Sequence, residues 1–204
     1  MHFFITGALS GFGLIVAIGA QNSYVLRLGL QRSHVGIAVF ICSLSDAILI
    51  FAGVGGIGAL LHGRETVLEV IKWIGIIYLS YFGIIALRRA AKPAELLPGQ
   101  GGAIASRKSV VLATLGFTLL NPHVYLDTVL LLGGMANQFG SGKWLFALGG
   151  ATASIIWFSF LGFGATKAAP LMAKPITWRV LDLIIAIVMF SIAITLYFTK
   201  ITIV

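Results

Sequence analysis

The stretch Leu120-Asn121-Pro122-His123-Val124-Tyr125-Leu126-Asp127 interrupts a segment, residues 110–135, that is otherwise apolar and long enough to cross a lipid bilayer. An aspartate at the centre of a membrane-spanning helix costs about 2.5–3.5 kcal/mol. Pro122 removes one backbone donor, and its ring collides with the carbonyl of Thr118 if the helix continues. A carbonyl freed at membrane depth persists only where it is buried in protein or lines a wet cavity. We therefore expect this stretch to form the wall of a polar site inside a membrane protein.

The whole chain of 204 residues is far more apolar than a soluble domain. Hydrophobic residues make up 59% and charged residues 10%, with a mean hydropathy of +1.04, whereas soluble domains carry about 25% charged residues. The apolar residues recur in six blocks separated by short polar stretches, which predicts an all-α polytopic membrane protein with six transmembrane helices. The predicted spans cover residues 3–26, 35–61, 70–87, 110–135, 144–165 and 180–199.

A polar connector divides this single transmembrane domain into two halves of three spans each. The halves cover residues 1–88 and 109–204, and the connector covers residues 89–108. Two related halves with an odd number of spans must insert with opposite orientations, which is the inverted repeat of many secondary transporters. Ala20-Gln21-Asn22-Ser23 in the first half resembles Leu120-Asn121-Pro122-His123 in the second. We therefore expect a break at residues 19–23 that matches the break at Pro122.

The distribution of lysine and arginine predicts the orientation in the membrane. Ten of the 14 basic residues, Arg27 among them, fall in the segments after spans one, three and five. The positive-inside rule places those loops in the cytoplasm and both termini outside. These loops explain the net charge of +8, and no aromatic–basic patch accompanies it, so we expect no binding to nucleic acid.

Three acidic residues, Asp46, Asp127 and Asp182, lie inside predicted spans. No lysine or arginine lies deep in any span, Arg27 being the nearest, so these acids have no evident cationic partner. Intramembrane ionisable residues are functional-site candidates. His123 and Asp127 are four residues apart and therefore share one face of a helix. We expect a substrate-binding pocket for a cation, in which Asp46, Asp127 or His123 alternates between proton and substrate.

Each of these residues also has a purely structural explanation. A protonated aspartate, or one that accepts hydrogen bonds from nearby hydroxyl and amide groups, needs no substrate. Asp182 lies near the start of span six, three residues after Arg179, and an ion pair between them is the competing interpretation. A backbone carbonyl alone satisfies many histidines in tight helix bundles, and this is the alternative for His123.

Neutral polar side chains near the two breaks suit a zwitterion. Gln21, Asn22 and Asn121 offer donors and acceptors for ammonium and carboxylate groups, although interhelical hydrogen bonding is the alternative for Gln21 and Asn22. Tyr125 is a candidate wall of the pocket, and core packing is its alternative. The expected hinge residues for alternating access are Gly19 and Pro122.

Common enzyme motifs are absent from the sequence. The chain has no His-Glu-x-x-His zinc motif, no Gly-Lys-Ser/Thr phosphate loop and no Gly-x-Ser-x-Gly nucleophile elbow. We therefore expect a protein that is not an enzyme and that needs no cofactor and no metal site. The alternative from this class is an intramembrane aspartyl hydrolase, in which two aspartates share one proton.

The polar motifs resemble those of the LysE family, the lysine and arginine exporters of the bacterial inner membrane. The matching segments follow one another over nearly the whole chain: Gly19-Ala20-Gln21-Asn22, Cys42-Ser43-Leu44-Ser45-Asp46, residues 120–128, Leu161-Gly162-Phe163-Gly164 and Trp178-Arg179-Val180-Leu181-Asp182. Related exporters of neutral amino acids typically carry Pro-Gly-Pro in span one and Asn-Pro-Lys in span four. This chain has Gly-Ala-Gln-Asn and Asn-Pro-His instead. The resemblance therefore implies export of L-lysine or L-arginine, driven by the proton gradient.

The resemblance also sets the expected partners. They are L-lysine or L-arginine, protons and membrane lipids, and efflux of a neutral amino acid or a metal cation is the alternative within the same superfamily. Exporting one positive charge against an inside-negative potential costs about 2.3 kcal/mol per 100 mV, which one incoming proton offsets. Gly7 and Gly11 are four residues apart, a spacing that allows close helix approach, and glycine-rich faces of this kind favour a homodimer.

Overall fold

The computed structural model describes residues 1–16, 19–57, 65–91, 106–170 and 175–198, and every regular element in these ranges is helical. The elements of the first half are α1 (His2–Ile15), α2 (Ala20–Leu30), α3 (Val35–Ala52), a π-helical turn (Gly53–Ile57) and α4 (Glu65–Ala91). Those of the second half are α5 (Arg107–Leu119), α6 (Pro122–Tyr125), a π-helical segment (Leu126–Leu132), α7 (Gly133–Asn137), a 3₁₀ turn (Gly140–Gly142), α8 (Lys143–Ala168) and α9 (Pro175–Phe198). The predicted all-α class is confirmed.

The lengths and apolar character of the helices are those of a polytopic membrane protein. Four segments are long and apolar enough to cross a bilayer: Val35–Gly56, Lys72–Ala91, Gly140–Ala168 and Ile176–Phe198. Two helix pairs meet the same criterion together but bend, by 84° between α1 and α2 and by 62° between α5 and the segment His123–Asn137. Six spans result if each bent pair is one span. A bent pair comes first in each half of the chain, while the inverted orientation of the halves stays a prediction.

The break in the first span lies slightly earlier than the sequence predicts. Helix α1 ends at Ile15 and α2 begins at Ala20, after Gly19 in an extended conformation. The residues from Gln21 to Ser23 therefore stand in the first turn of a helix, and the expectation of a break extending through them is wrong. Most of the predicted connector, residues 92–105, and the end of predicted span two, residues 58–61, lie outside the described residues.

Glycines allow α1 and α8 to pack with their backbones in contact. Gly7 and Gly11, at the spacing that predicts close approach, are buried, and Gly7 faces the backbone of Phe146. On α8, Gly149 faces the backbone of Phe4. A Cβ atom at Gly7 or Gly149 would overlap a carbonyl oxygen of the other helix. This packing holds α1, and with it one side of the first break, against α8.

The largest buried core lies where α4 and α9 pack against α2 and α5. Leu79 of α4, Met189 of α9 and Phe117 of α5 are each at most 2% exposed. The ring of Phe117 lies 4.8 Å from that of Tyr24 and 5.1 Å from that of Tyr78, measured between centroids. A second core cluster packs α2 and α3 against α8. The first turn of α2 is consequently buried in protein rather than exposed to lipid.

Gly7→Ala should destabilise the protein, because the added methyl group would have to push α1 away from the backbone of α8. Overpacking of this kind costs about 1–3 kcal/mol. Gly13→Ala is the matched control on the same helix, since no atom lies within 4 Å of a Cβ built there. The measurement is the midpoint of thermal unfolding in detergent, which should fall for Gly7→Ala and stay or rise for Gly13→Ala. Equal midpoints for the two variants would contradict the close packing.

Candidate functional site

A cavity of about 280 Å³ lies where the two broken spans meet. Its volume is close to the lower end of the roughly 300–1,000 Å³ found for small-molecule sites. Six of the eight predicted substrate-binding residues line it, together with the predicted hinge residue Gly19. The six are Gln21, Asn22, Asp46, Asn121, His123 and Asp127. Residues from both halves of the chain, distant in sequence, therefore share one polar space.

The second break is formed at Asn121 and Pro122, as the sequence predicts. Pro122 is the first residue of α6, a position where its missing N–H removes no helical hydrogen bond. Asn121 caps this helix, because its Oδ1 atom accepts a hydrogen bond from the backbone N–H of His123 at 3.1 Å. The polar residues of this stretch thus first serve to end one helix and start another.

Tyr125 does not line the cavity, and its predicted role as a pocket wall is wrong in this structure. Its hydroxyl donates a hydrogen bond to the carbonyl oxygen of Leu119, the last residue of α5, at 2.8 Å. Helices leave their last carbonyls without intrahelical donors, and such groups need another partner at membrane depth. Tyr125 therefore supports the break from outside the cavity.

The side chain of Asn22 fixes the first break. Its amide nitrogen donates to the carbonyl oxygen of Ile15, the last residue of α1, at 3.0 Å. Its amide oxygen accepts from the indole N–H of Trp157 on α8 at 3.2 Å. The interhelical hydrogen bonding that was the alternative for Asn22 is present, in a side chain that also lines the cavity. Asn22 therefore has a structural role whether or not it touches a substrate.

Asp46 is almost fully buried near the middle of α3, with 3% of its surface exposed. Its Oδ2 atom accepts a hydrogen bond from the hydroxyl of Ser154 on α8 at 2.8 Å. A neutral hydroxyl group stabilises a carboxylate but brings no charge to offset it. Ser154 cannot be recognised from the sequence as a partner of Asp46, because a single serine in an apolar span is common and Asp46 is 108 positions away.

Asp127 lies half-buried in the π-helical segment after the second break. Such segments are rare and frequently occur at functional sites. Asp127, Asp46 and His123 line the same cavity. Among the described residues, no lysine or arginine forms an ion pair with Asp46 or Asp127. Two acids therefore face one space without a cation from the described part of the chain.

Asp182 is the exception among the three intramembrane acids. It is fully buried in α9, and its carboxylate pairs with the guanidinium of Arg27 on α2. The Nε atom of Arg89 on α4 lies 3.4 Å from the same carboxylate oxygen, and the ring of Trp178 lies against Arg27, 5.7 Å from Cζ to the ring centroid. The expectation that this acid lacks a cationic partner is therefore wrong, and the partner is not Arg179. Asp182 connects α2, α4 and α9 instead of lining the cavity.

Comparison with known proteins gives a consistent result. The family model described as LysE type translocator matches residues 12–200. The lysine exporter LysE of Corynebacterium diphtheriae is 39% identical over 93% of this chain and 96% of its own. The arginine exporter ArgO of Pectobacterium carotovorum is 37% identical over 95% of both chains. A Mycobacterium tuberculosis protein provisionally named as an amino-acid transporter is 41% identical over 92% of both. No solved structure matches the chain.

Asp182→Asn should destabilise the protein strongly, because it leaves the guanidinium of Arg27 buried without a counterion. Breaking a buried ion pair by removing one partner costs about 3–5 kcal/mol, which lowers the melting temperature by about 6–20 °C at this chain length. The control is Arg107→Gln, at an exposed position in the first turn of α5, which should change the midpoint little. Thermal unfolding in detergent measures both variants, and a shift for Asp182→Asn no larger than that of the control would contradict the pairing.

Proposed function

The chain belongs to the LysE family of translocators, and we propose that it exports L-lysine and L-arginine from the cell in exchange for protons. Its relatives include a lysine exporter and an arginine exporter that align with nearly the whole chain. Amino-acid export is the activity these relatives have in common. The proposal goes beyond this shared activity in two respects: the exported amino acids are cationic, and their export is coupled to the entry of protons.

The observation that carries the proposal is the pair of acids in the shared cavity. Asp46 and Asp127 line the same space, and the described residues bring no lysine or arginine to either carboxylate. Bringing two like charges together in a medium of low dielectric constant is unfavourable. A substrate with a positively charged side chain, or a proton on one carboxylate, relieves that repulsion. We propose that Asp46 and Asp127 bind the side-chain ammonium or guanidinium group.

The remaining lining residues suit the other end of an amino acid. Gln21, Asn22 and Asn121 would hold the α-amino and α-carboxylate groups, since their amides supply both donors and acceptors. Asp182 and Tyr125 are left out of the proposed site, because both lie outside the cavity lining and have other partners.

The same acids offer a route for coupling. When the cationic substrate leaves, the carboxylates of Asp46 and Asp127 lose their counterion, and a proton can take its place. His123 lines the cavity next to Asp127 and is a further candidate for carrying the proton. Because each proton enters as one substrate charge leaves, the exchange removes the electrical cost of export. The breaks at Gly19 and Pro122 would be the hinges between outward-facing and inward-facing states.

The proposed placement is the bacterial inner membrane with both termini outside. It rests on the excess of lysine and arginine in the loops after the first, third and fifth predicted spans. Arg27 lies inside helix α2 rather than in a loop, and removing it from the count leaves the sign of the bias unchanged. A homodimer stays a prediction, and Gly7 and Gly11 do not support it, because both are buried against α8 of the same chain.

Asp46→Asn and Asp127→Asn should each reduce export of labelled lysine from proteoliposomes by at least about tenfold, because hydrogen bonds to charged groups are worth roughly 1.5–3 kcal/mol. Arg107→Gln is the control, since it neutralises an exposed charged side chain on α5 outside the cavity lining and should export near the wild-type rate. Export at the wild-type rate by both aspartate variants would contradict the assignment of Asp46 and Asp127 to the substrate-binding site.

A competition experiment separates the substrate classes. Unlabelled lysine and arginine should inhibit lysine counterflow in proteoliposomes, whereas threonine and divalent cadmium should not. Inhibition by threonine as strong as that by lysine would favour a neutral amino-acid exporter, and inhibition by cadmium would favour a metal-cation exporter.

A further inference from the structure

The two helices that begin at the breaks are capped in different ways. Helix α6 is capped by its own sequence, because the side chain of Asn121 accepts a hydrogen bond from the N–H of His123. Helix α2 begins after Gly19, which has no side chain, and no side-chain hydrogen bond caps it. The first N–H groups of any α-helix have no acceptor within the helix. The first backbone N–H groups of α2 therefore receive no hydrogen-bond acceptor from a side chain at the N-cap.

This open helix start is part of the wall of the cavity. Gly19 and Gln21 both line the space that also contains Asp46 and Asp127. The backbone of Gly19 is extended, with φ −124° and ψ 178°, which is the usual conformation of an N-cap residue. Helix α2 is 11 residues long, so its partial positive charge at the N-terminus is well developed. The start of such a helix is favourable for an anionic group.

A second observation comes from the side chain of Gln21. This residue is 8% exposed, and its amide nitrogen has no hydrogen-bond partner among the described residues. A buried donor without an acceptor costs free energy, and lipid cannot supply the acceptor. A ligand that accepts hydrogen bonds at the start of α2 would satisfy this donor together with the backbone.

We propose that the start of α2, with its N-cap Gly19 and with Gln21 in its first turn, binds the α-carboxylate of the substrate. This inference rests on the proposed function and assigns one substrate group to one part of the cavity. The carboxylates of Asp46 and Asp127 repel an anion, so the acceptor at α2 must belong to a molecule that also carries positive charge. An amino acid with a cationic side chain meets both requirements, whereas a diamine of the same length meets only one.

The inference predicts which chemical group makes a molecule a substrate. Lysine should be recognised through its carboxylate as well as its side chain, so that cadaverine, which is decarboxylated lysine, and lysinamide, whose carboxylate is neutralised, should bind poorly. In counterflow of labelled lysine into proteoliposomes, each analogue should need at least about tenfold higher concentration than lysine for half-maximal inhibition, because a charge-assisted interaction is lost.

A substitution at Gly19 tests the position of the subsite. Gly19→Asp places a carboxylate at the N-cap, where it accepts from the first turn of α2 and occupies the subsite. Half-maximal inhibition by lysine should then need about tenfold more lysine, while that by cadaverine should stay the same or improve. Gly36→Asp is the matched control, because Gly36 lies exposed in the first turn of α3 with no atom within 4 Å of a Cβ built there.

The outcomes separate this inference from the proposed function. Absence of lysine counterflow in the wild-type protein overturns the proposed function and the subsite with it. Lysine counterflow that cadaverine and lysinamide inhibit as strongly as lysine overturns the carboxylate subsite alone. An unchanged ratio of lysine to cadaverine inhibition in Gly19→Asp also overturns it, and if that variant does not fold, the analogue series on the wild-type protein decides.

Discussion

Lipid offers neither hydrogen bonds nor counterions, and this constraint explains how the two bent spans are arranged. Each break frees backbone groups that a straight helix would pair internally, and such groups persist at membrane depth only inside protein or against water. The side chains of Asn22 and Tyr125 each donate to the carbonyl at the end of the helix before the break, and Asn121 accepts from the start of the helix after it. Because residues at both breaks line the same cavity, the polar groups of both breaks face one shared space inside the protein.

The three intramembrane acids differ in how the protein compensates a negative charge at membrane depth. Asp182 has the guanidinium of Arg27 as its counterion and joins three helices through Arg27 and Arg89, so its charge is compensated within the protein. Asp46 accepts a hydrogen bond from the hydroxyl of Ser154, and Asp127 lines the cavity together with His123, but neither acid has a lysine or arginine partner among the described residues. A buried acid without a counterion costs stability and is retained where function needs it. This contrast gives Asp182 a structural role and supports the proposal that Asp46 and Asp127 bind a cation.

Features that depend on neighbouring residues could be predicted from the sequence, and features that depend on distant contacts could not. Pro122 marks a helix break by its own chemistry, and Gly7 and Gly11 mark close packing by their spacing, so both appear in the structure as expected. The ion pair of Asp182 joins residues 155 positions apart, and the nearby Arg179 was the more obvious partner. Tyr125 looked like a pocket wall because of its neighbours, but the direction of its side chain depends on where α5 ends. The predicted break at residues 19–23 extends too far along the chain, because glycine permits a break without fixing its position.

The most direct test of cation recognition by Asp46 and Asp127 is equilibrium binding of labelled lysine to the purified protein in competition with norleucine. Norleucine has the α-amino acid group and an apolar side chain of similar length, but no side-chain ammonium. If these two carboxylates bind the positive charge, lysine should displace the label at concentrations at least about tenfold lower than norleucine does. Displacement by norleucine at the same concentration as lysine would contradict the claim that these carboxylates recognise a cation.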